Sequence, residues 1–440
     1  MRLKPESKPL NRTECFHSNP KSVIRNPGGK GLGMTVGSYD RNRHPAAITN
    51  FKTLCHAPFT SMDFGPQGQI NVCNHYFRTI DNIANGRSLH EIWKGKEFSE
   101  LRFNMLNYVI DEDLCRHCAI QIRTKHPENA FSVEQYDQYP AASVDPDFPS
   151  RMTFRLSNRC NLACVMCSGT LSSRIRRERD KQPNPPSPYG DRFFSEIRDF
   201  LPRLNHVEFF GGEPFLIREH LRIFDLIKET GAQCTLYANT NCTSLTDRIK
   251  AYIEDLNFTC IAVSMDAVNP ELHAKIRVGI DHEKFMKNLN WLLGLRKRRR
   301  LKVILNVTEL RQNWFELPEL FRFAARIDCF LHINTCIHPD HCTLYTLPTN
   351  ELTYLLDFFV REREKLDDEL RMQGNNRSYQ HLVSMIEKEL DKRKHHPRPS
   401  LRGIHRPDGG AGNAREPSSR TPISQRKEDE SNHEHRQHYR

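Results

Sequence analysis

Cys160-Asn161-Leu162-Ala163-Cys164-Val165-Met166-Cys167 forms a C-x3-C-x2-C array. Three thiolates this close, on a loop that wraps them round one point, suit a soft metal centre. A structural zinc normally takes four ligands. Three cysteines with no close fourth leave one position open. In a [4Fe–4S] cluster that means one iron free to bind something exchangeable. A zinc site completed by a distant His or Cys also fits the spacing. A second motif, Phe209-Phe210-Gly211-Gly212-Glu213-Pro214, ends a predicted strand. Its two glycines let the backbone approach a ligand closely. Its carboxylate follows at the sheet's C-terminal edge, where parallel α/β sheets bind ligands.

A further constellation lies earlier in the chain. Cys55-His56-Ala57-Pro58-Phe59 is followed by a Gly-bearing turn that ends at Cys73, then a helical pattern through Ile92, Trp93, Phe98 and Leu101, then Cys115-Arg116-His117-Cys118. The runs 59–64 and 69–73 flank the turn as a β-hairpin would. A helix then returns the chain so that Cys115 and Cys118 can meet Cys55 and Cys73. Four thiolates serve either Zn²⁺ or a fully ligated iron–sulfur cluster.

The elements that must position these residues are legible as alternation. Strand patterns fall at 152–156, 206–210, 234–238, 260–265, 302–307 and 330–334, with helical patterns at 171–180, 217–230, 245–256, 282–295 and 314–326. Strand and helix alternating in this way predict a parallel sheet of βαβ units. Residues 150–345 form this block, and 50–125 form a small cysteine-rich α+β module of hairpin plus helix. Residues 1–49 read as a basic, largely extended arm, 126–149 as a linker, 346–394 as C-terminal helices and 395–440 as a disordered polar tail.

The C-x3-C-x2-C loop with Asn after its first cysteine, one βα unit before Gly-Gly-Glu-Pro, resembles the radical S-adenosylmethionine (radical SAM) superfamily over residues 150–340. The resemblance implies a partial (β/α)6 barrel with an apolar interior. It implies that Cys160, Cys164 and Cys167 hold a [4Fe–4S] cluster whose open iron chelates S-adenosylmethionine. It also implies that Gly211, Gly212 and Glu213 lie at the methionine amino group. Asn239, Ser264, Asp266 and Asn306, at later strand ends, become further cofactor contacts, with Asn239 and Asp266 able to face substrate instead. The N-terminal module resembles the auxiliary-cluster domains called SPASM and twitch, although those usually follow the barrel. By that likeness Cys55, Cys73, Cys115 and Cys118 hold a second [4Fe–4S] cluster. The function implied is reductive cleavage of S-adenosylmethionine to a 5′-deoxyadenosyl radical. That radical abstracts hydrogen from a peptide or small-molecule substrate, with an electron donor such as flavodoxin or ferredoxin.

Charge and composition bound the alternatives. The net charge of +11 sits on the ends: +6 in residues 1–49 and +3 in 395–440, leaving +2 for the body. Such tails give weak attraction to polyanions and no sequence readout, so specific nucleic-acid binding is not expected. No run of about 18 apolar residues predicts a membrane span, and the first residues lack the apolar core of a secretory signal. The expected location is the cytoplasm, where thiols stay reduced. The competing reading is a non-catalytic, zinc-stabilised binding protein whose basic tails contact RNA. Gly-Gly-Glu-Pro beside an open three-cysteine site argues against it.

Overall fold

The computed structural model describes residues 19–42, 51–76, 78–124, 132–139, 141 and 143–395. The tail expected at 395–440, apart from His395, and the arm segments 1–18 and 43–50 lie outside the described residues. In chain order the strands are β1 (Val23–Arg25), β2 (Gly31–Thr35), β3 (Ser61–Phe64), β4 (Gln69–Asn71), β5 (Asp81–Asn82), β6 (Arg151–Phe154), β7 (His206–Phe209), β8 (Thr235–Thr240), β9 (Phe258–Ser264), β10 (Lys302–Glu309) and β11 (Phe330–Thr335).

The last six strands pair in parallel and in sequence order. Helices Asp191–Phe200, Arg218–Thr230, Asp247–Asp255, His282–Arg296 and Leu317–Arg326 fill the crossovers. This is an α/β partial (β/α)6 barrel. Local chemistry sets the helix ends. Thr246, Asn269 and Asp281 accept the N–H groups of Ile249, Leu272 and Lys284 as N-caps, each worth about 1 kcal/mol. Gly231, at φ 64°, ends Arg218–Thr230 in the left-handed conformation that favours glycine.

The N-terminal module joins the same sheet. β3 and β4 form the expected antiparallel hairpin, β5 adds to it, and β3 pairs in parallel with β6 from Ser61↔Arg151 to Phe64↔Phe154. Nine strands therefore run in the order β11-β10-β9-β8-β7-β6-β3-β4-β5. At the opposite margin the helix Asn375–His395 covers β11. Leu331 N–H donates to Asn375 Oδ1 at 2.8 Å and Ile333 N–H to Ser378 Oγ at 3.1 Å.

Three expectations differ from the structure. Residues 19–42 are folded rather than extended: β1 and β2 pair antiparallel and a helix follows at Val36–Asn42. Ile24, Leu32, Met34, Val36 and Tyr39 alternate with polar and glycine residues and bury into a second core with Phe59, Tyr108 and Ile122. Helix Asp191–Phe200 has no counterpart in the sequence reading. A proline-rich stretch precedes it, but Phe193, Phe194, Ile197 and Phe200 lie on one buried face. Finally, the barrel interior is polar. Met152, Phe154, Val207, Phe209, Leu236 and Val263 pack in the main core. The alternate positions carry Arg151 paired with Glu208, Arg155 paired with Asp63 at 3.3 Å, and Asn239 bonded to Ser264 and Asn306. Cross-strand partners meet most of these groups, which lowers the cost of burying them.

Phe64 ties module to barrel. It is fully buried and stacks on Phe154 at 5.3 Å and against Phe193 at 5.4 Å. Phe64→Ala should lower unfolding free energy in urea by about 3–5 kcal/mol. A single transition should persist, because both packing partners lie in the sheet's shared core.

Candidate active site

The cysteine loop leaves β6 and returns through Ser172 and Ser173. Ser173 Oγ accepts Cys160 N–H at 3.1 Å and donates to Cys160 O at 3.2 Å, and Ser172 Oγ donates to Leu162 O at 2.7 Å. Ala163 N–H and Val165 N–H donate to Val278 O and Ile276 O, both at 2.9 Å. The loop is thus clamped on both sides. All three thiols face one another electrostatically. Burial pushes the Cys160 thiol up to about 12, with Glu213, Cys164 and Cys167 adding to it. It pushes Cys164 up to about 11, and Cys167 is also raised.

Gly-Gly-Glu-Pro acts on this loop through the backbone. Gly211 has φ 116°, and a Cβ there would meet Ser157 O at 2.7 Å; one at Gly212 would meet Arg159 O at 2.3 Å. Gly212 N–H donates to Ser157 O at 3.2 Å and Glu213 N–H to Arg159 O at 2.8 Å. The close approach expected for a ligand is here made to the chain segment just before Cys160. Glu213 was expected at the cofactor's amino group, yet it is fully buried. Its carboxylate accepts from Thr240 Oγ1 at 2.6 Å, Asn241 N–H at 2.7 Å and Phe215 N–H at 3.3 Å. Burial raises its pKa to about 7 against those three bonds. Glu213 therefore locks the end of β8 to the glycine turn.

The later strand ends divide into two groups. Asn239 Oδ1 accepts from Ser264 Oγ at 3.2 Å and from Asn306 Nδ2 at 3.3 Å, so three predicted residues meet on the polar face. Asn306 Oδ1 is buried without a partner, an acceptor left for a bound group. Asp266 departs from expectation. It is fully buried, its Oδ1 accepts Thr308 N–H at 2.8 Å, and its Oδ2 sits 2.8 Å from Arg277 Nε. It serves Arg277, whose Nη1 lies 3.9 Å from Cys164 Sγ. Sequence reasoning missed Arg277. Asp266 was the available signal, since a carboxylate inside a fold calls for a cation. Asn241 also meets the loop: its Nδ2 donates to Asn161 Oδ1 at 3.0 Å and lies 3.9 Å from Cys160 Sγ. His332 and Asn334 lie exposed on β11. Cys336 and Cys342 are buried against Val165 and Met166 of the loop.

The second site also comes together. Cys55, Cys73, Cys115 and Cys118 line one apolar cavity with Tyr76 and Tyr136. Burial raises Cys73 and Cys118 to about 12 and Cys115 further, and neighbouring thiols reinforce each shift. His75 and His117 stack at 4.8 Å beside them. Among the described residues no three His, Cys, Asp or Glu groups gather tightly enough for a single ion.

Residues 154–324 match the radical SAM superfamily model, and residues 55–119 match the SPASM iron–sulfur cluster-binding domain. The chain carries a radical SAM domain preceded by a SPASM domain. Its cofactors are accordingly a [4Fe–4S] cluster and S-adenosylmethionine, with further iron–sulfur binding in the SPASM domain. A mycofactocin maturase of Mycolicibacterium smegmatis is 24% identical over 192 residues, 42% of this chain and 44% of that protein. A probable GTP 3′,8-cyclase of Methanocaldococcus jannaschii is 24% identical over 180 residues, 40% of this chain and 56% of that one. The chain thus spans about half the length of these curated relatives. Among solved structures, Streptococcus suis SuiB bound to precursor peptide SuiA is 13% identical, covering 50% of this chain and 47% of that one at a TM-score of 0.37. The anSMEcpe enzyme with bound AdoMet is 19% identical, covering 49% and 61% at 0.36.

The donor chemistry fits such cofactors. Cys160 Sγ accepts Leu162 N–H at 3.4 Å, Cys55 Sγ accepts Ala57 N–H at 3.4 Å, and Arg277 points at Cys164. Donors of this kind favour thiolates, the form that binds metal. No helix among the described residues is long and apolar enough to cross a membrane.

Two expected outcomes follow from this geometry. Gly212→Ala should displace the cysteine loop and lower the iron bound per chain after anaerobic reconstitution; unchanged iron would show that the contact is dispensable. Glu213→Gln tests the buried carboxyl. Its folded pKa of about 7 exceeds the ordinary 4.5, so the native chain loses stability as pH rises through that window. The glutamine variant lacks this dependence. The melting temperature of the native chain minus that of the variant should therefore fall between those pH values and level above.

Proposed function

We propose that the chain is a radical SAM enzyme in which Cys160, Cys164 and Cys167 hold the reductive cluster and Cys55, Cys73, Cys115 and Cys118 hold an auxiliary [4Fe–4S] cluster. The observation that carries this reading is the clamped three-cysteine loop at the C-terminal end of β6, beside the Asn239–Ser264–Asn306 group. When bound, the cofactors supply one-electron cleavage of S-adenosylmethionine and a 5′-deoxyadenosyl radical that takes hydrogen from substrate, the electron coming from a donor such as flavodoxin or ferredoxin.

The protein's part is placement. Gly211 and Gly212 set the loop's height over the barrel, and Glu213 fixes the neighbouring turn. Asn306 offers its unpartnered Oδ1, and with Asn239 and Ser264 forms a hydrogen-bonding wall for the cofactor's polar groups. Tyr237, which bonds with Asn306, and the Arg155–Asp63 pair add further polar groups. A wall of this character suits a polar substrate, peptide or sugar-like in class, because an apolar one would leave those groups unpaired. Cys55, Cys73, Cys115 and Cys118 would hold a fully ligated cluster in the second cavity, which would supply an electron acceptor for a net oxidation.

Cys164→Ala should abolish 5′-deoxyadenosine formation with dithionite and lower iron by about one cluster; wild-type formation would defeat the assignment. The triple alanine variant at Cys160, Cys164 and Cys167 should keep iron–sulfur absorbance from the SPASM domain. Zinc without iron in that variant would leave the barrel assignment intact and overturn the auxiliary one.

A further inference from the structure

Arg277 is the one guanidinium recorded within hydrogen-bond reach of a sulfur of the C-x3-C-x2-C loop among the described residues. It caps helix Pro270–Ile276 and is 9% exposed. Its neighbours Ile276 and Val278 accept Val165 N–H and Ala163 N–H, both at 2.9 Å, so the backbone on each side is bonded to the cysteine loop. Its Nη1 lies 3.9 Å from Cys164 Sγ and its Nε lies 2.8 Å from Asp266 Oδ2. The field of the guanidinium reaches Cys160, Cys167 and Glu213 as well. Asp266 is itself tethered by Thr308 N–H at 2.8 Å, so neither charge can swing away.

Resting on the cluster assignment above, we propose that Arg277 is a positioning residue that sets the reduction potential of the cluster held by Cys160, Cys164 and Cys167, with Asp266 as its counterweight. The argument is electrostatic. Adding one electron to a thiolate-bound cluster increases negative charge in a buried, low-dielectric place. A fixed cation beside one ligand stabilises the reduced state more than the oxidised one. A carboxylate behind that cation opposes it, less strongly because it stands on the far side of the guanidinium. The pair therefore sets the potential by a difference, as a trim between two opposed charges. A hydrogen bond from Nη1 to Sγ acts in the same direction as the cation, by withdrawing charge from the ligand. A role in folding alone would leave the potential untouched.

The test is an electron-paramagnetic-resonance redox titration of the anaerobically reconstituted full chain, without S-adenosylmethionine. The relevant signal is the part that disappears in the triple alanine variant at Cys160, Cys164 and Cys167. At a fixed poise, Arg277→Met should reduce the reduced-to-oxidised ratio of that signal about tenfold, which is 59 mV for one electron. Arg277→Lys, which keeps the charge but loses the fork, should fall in between, and Asp266→Asn should raise the ratio. Arg277→Met leaves the Asp266 carboxylate buried without its cation, a cost expected to loosen the loop and lower bound iron. The double variant Arg277→Met/Asp266→Asn removes this cost and should still shift the ratio downward. A double variant with wild-type iron and an unchanged ratio would overturn the proposal while leaving the cluster assignment standing. A wild-type chain with no signal sensitive to the triple substitution would overturn both.

Discussion

The structure turns on one contact between two pieces of backbone. The glycine turn after β7 lies so close to the segment after β6 that a Cβ at Gly212 would stand 2.3 Å from Arg159 O. Parallel pairing of β6 with β7 brings the two strand ends side by side, but only side-chain-free residues let them touch. That touch fixes the point from which the Cys160 loop springs. The serines, Arg277 and Asn241 then arrange the loop beyond it. A backbone contact is stiffer than one made by side chains, which suits a loop that carries three closely spaced thiols.

Polar groups inside the fold follow the same logic at each depth. Glu213, Asp266, Arg277 and Arg151 are all buried, and each has a partner on another element. Such pairs contribute little net stability, since desolvation offsets most of the attraction. They do specify geometry, because a strand slipped by one residue would leave a charge unpaired. The polar barrel face and the apolar helix-facing side together fix the register of the parallel strands.

Much of this was legible in the sequence. The six barrel strands and most crossover helices fall where hydrophobic alternation places them, and Cys55, Cys73, Cys115 and Cys118 line one cavity. Asp191–Phe200 was obscured by the prolines before it, which mask a helical stripe of Phe193, Phe194, Ile197 and Phe200. The hairpin at 23–35 was hidden by its glycines and charges, which depress apparent order although every second residue buries. Site roles were harder still. Glu213 and Asp266 stand where cofactor contacts would be sought, but their carboxylates are turned into the fold. Whether an acid at a strand end faces a ligand or a backbone amide depends on partners far away in sequence, such as Asn241 and Arg277. Local pattern shows that Asp266 needs a cation but does not say which residue supplies it.

The cover over β11 has a bearing on how any extended chain could engage this protein. An exposed strand margin offers a row of amide donors onto which a visiting peptide can add itself as another strand, gaining affinity from main-chain bonds regardless of its side chains. At β11 the donors of Leu331 and Ile333 already belong to Asn375 and Ser378. A visiting strand therefore finds the outward amides of β11 already taken, and this margin offers it no template.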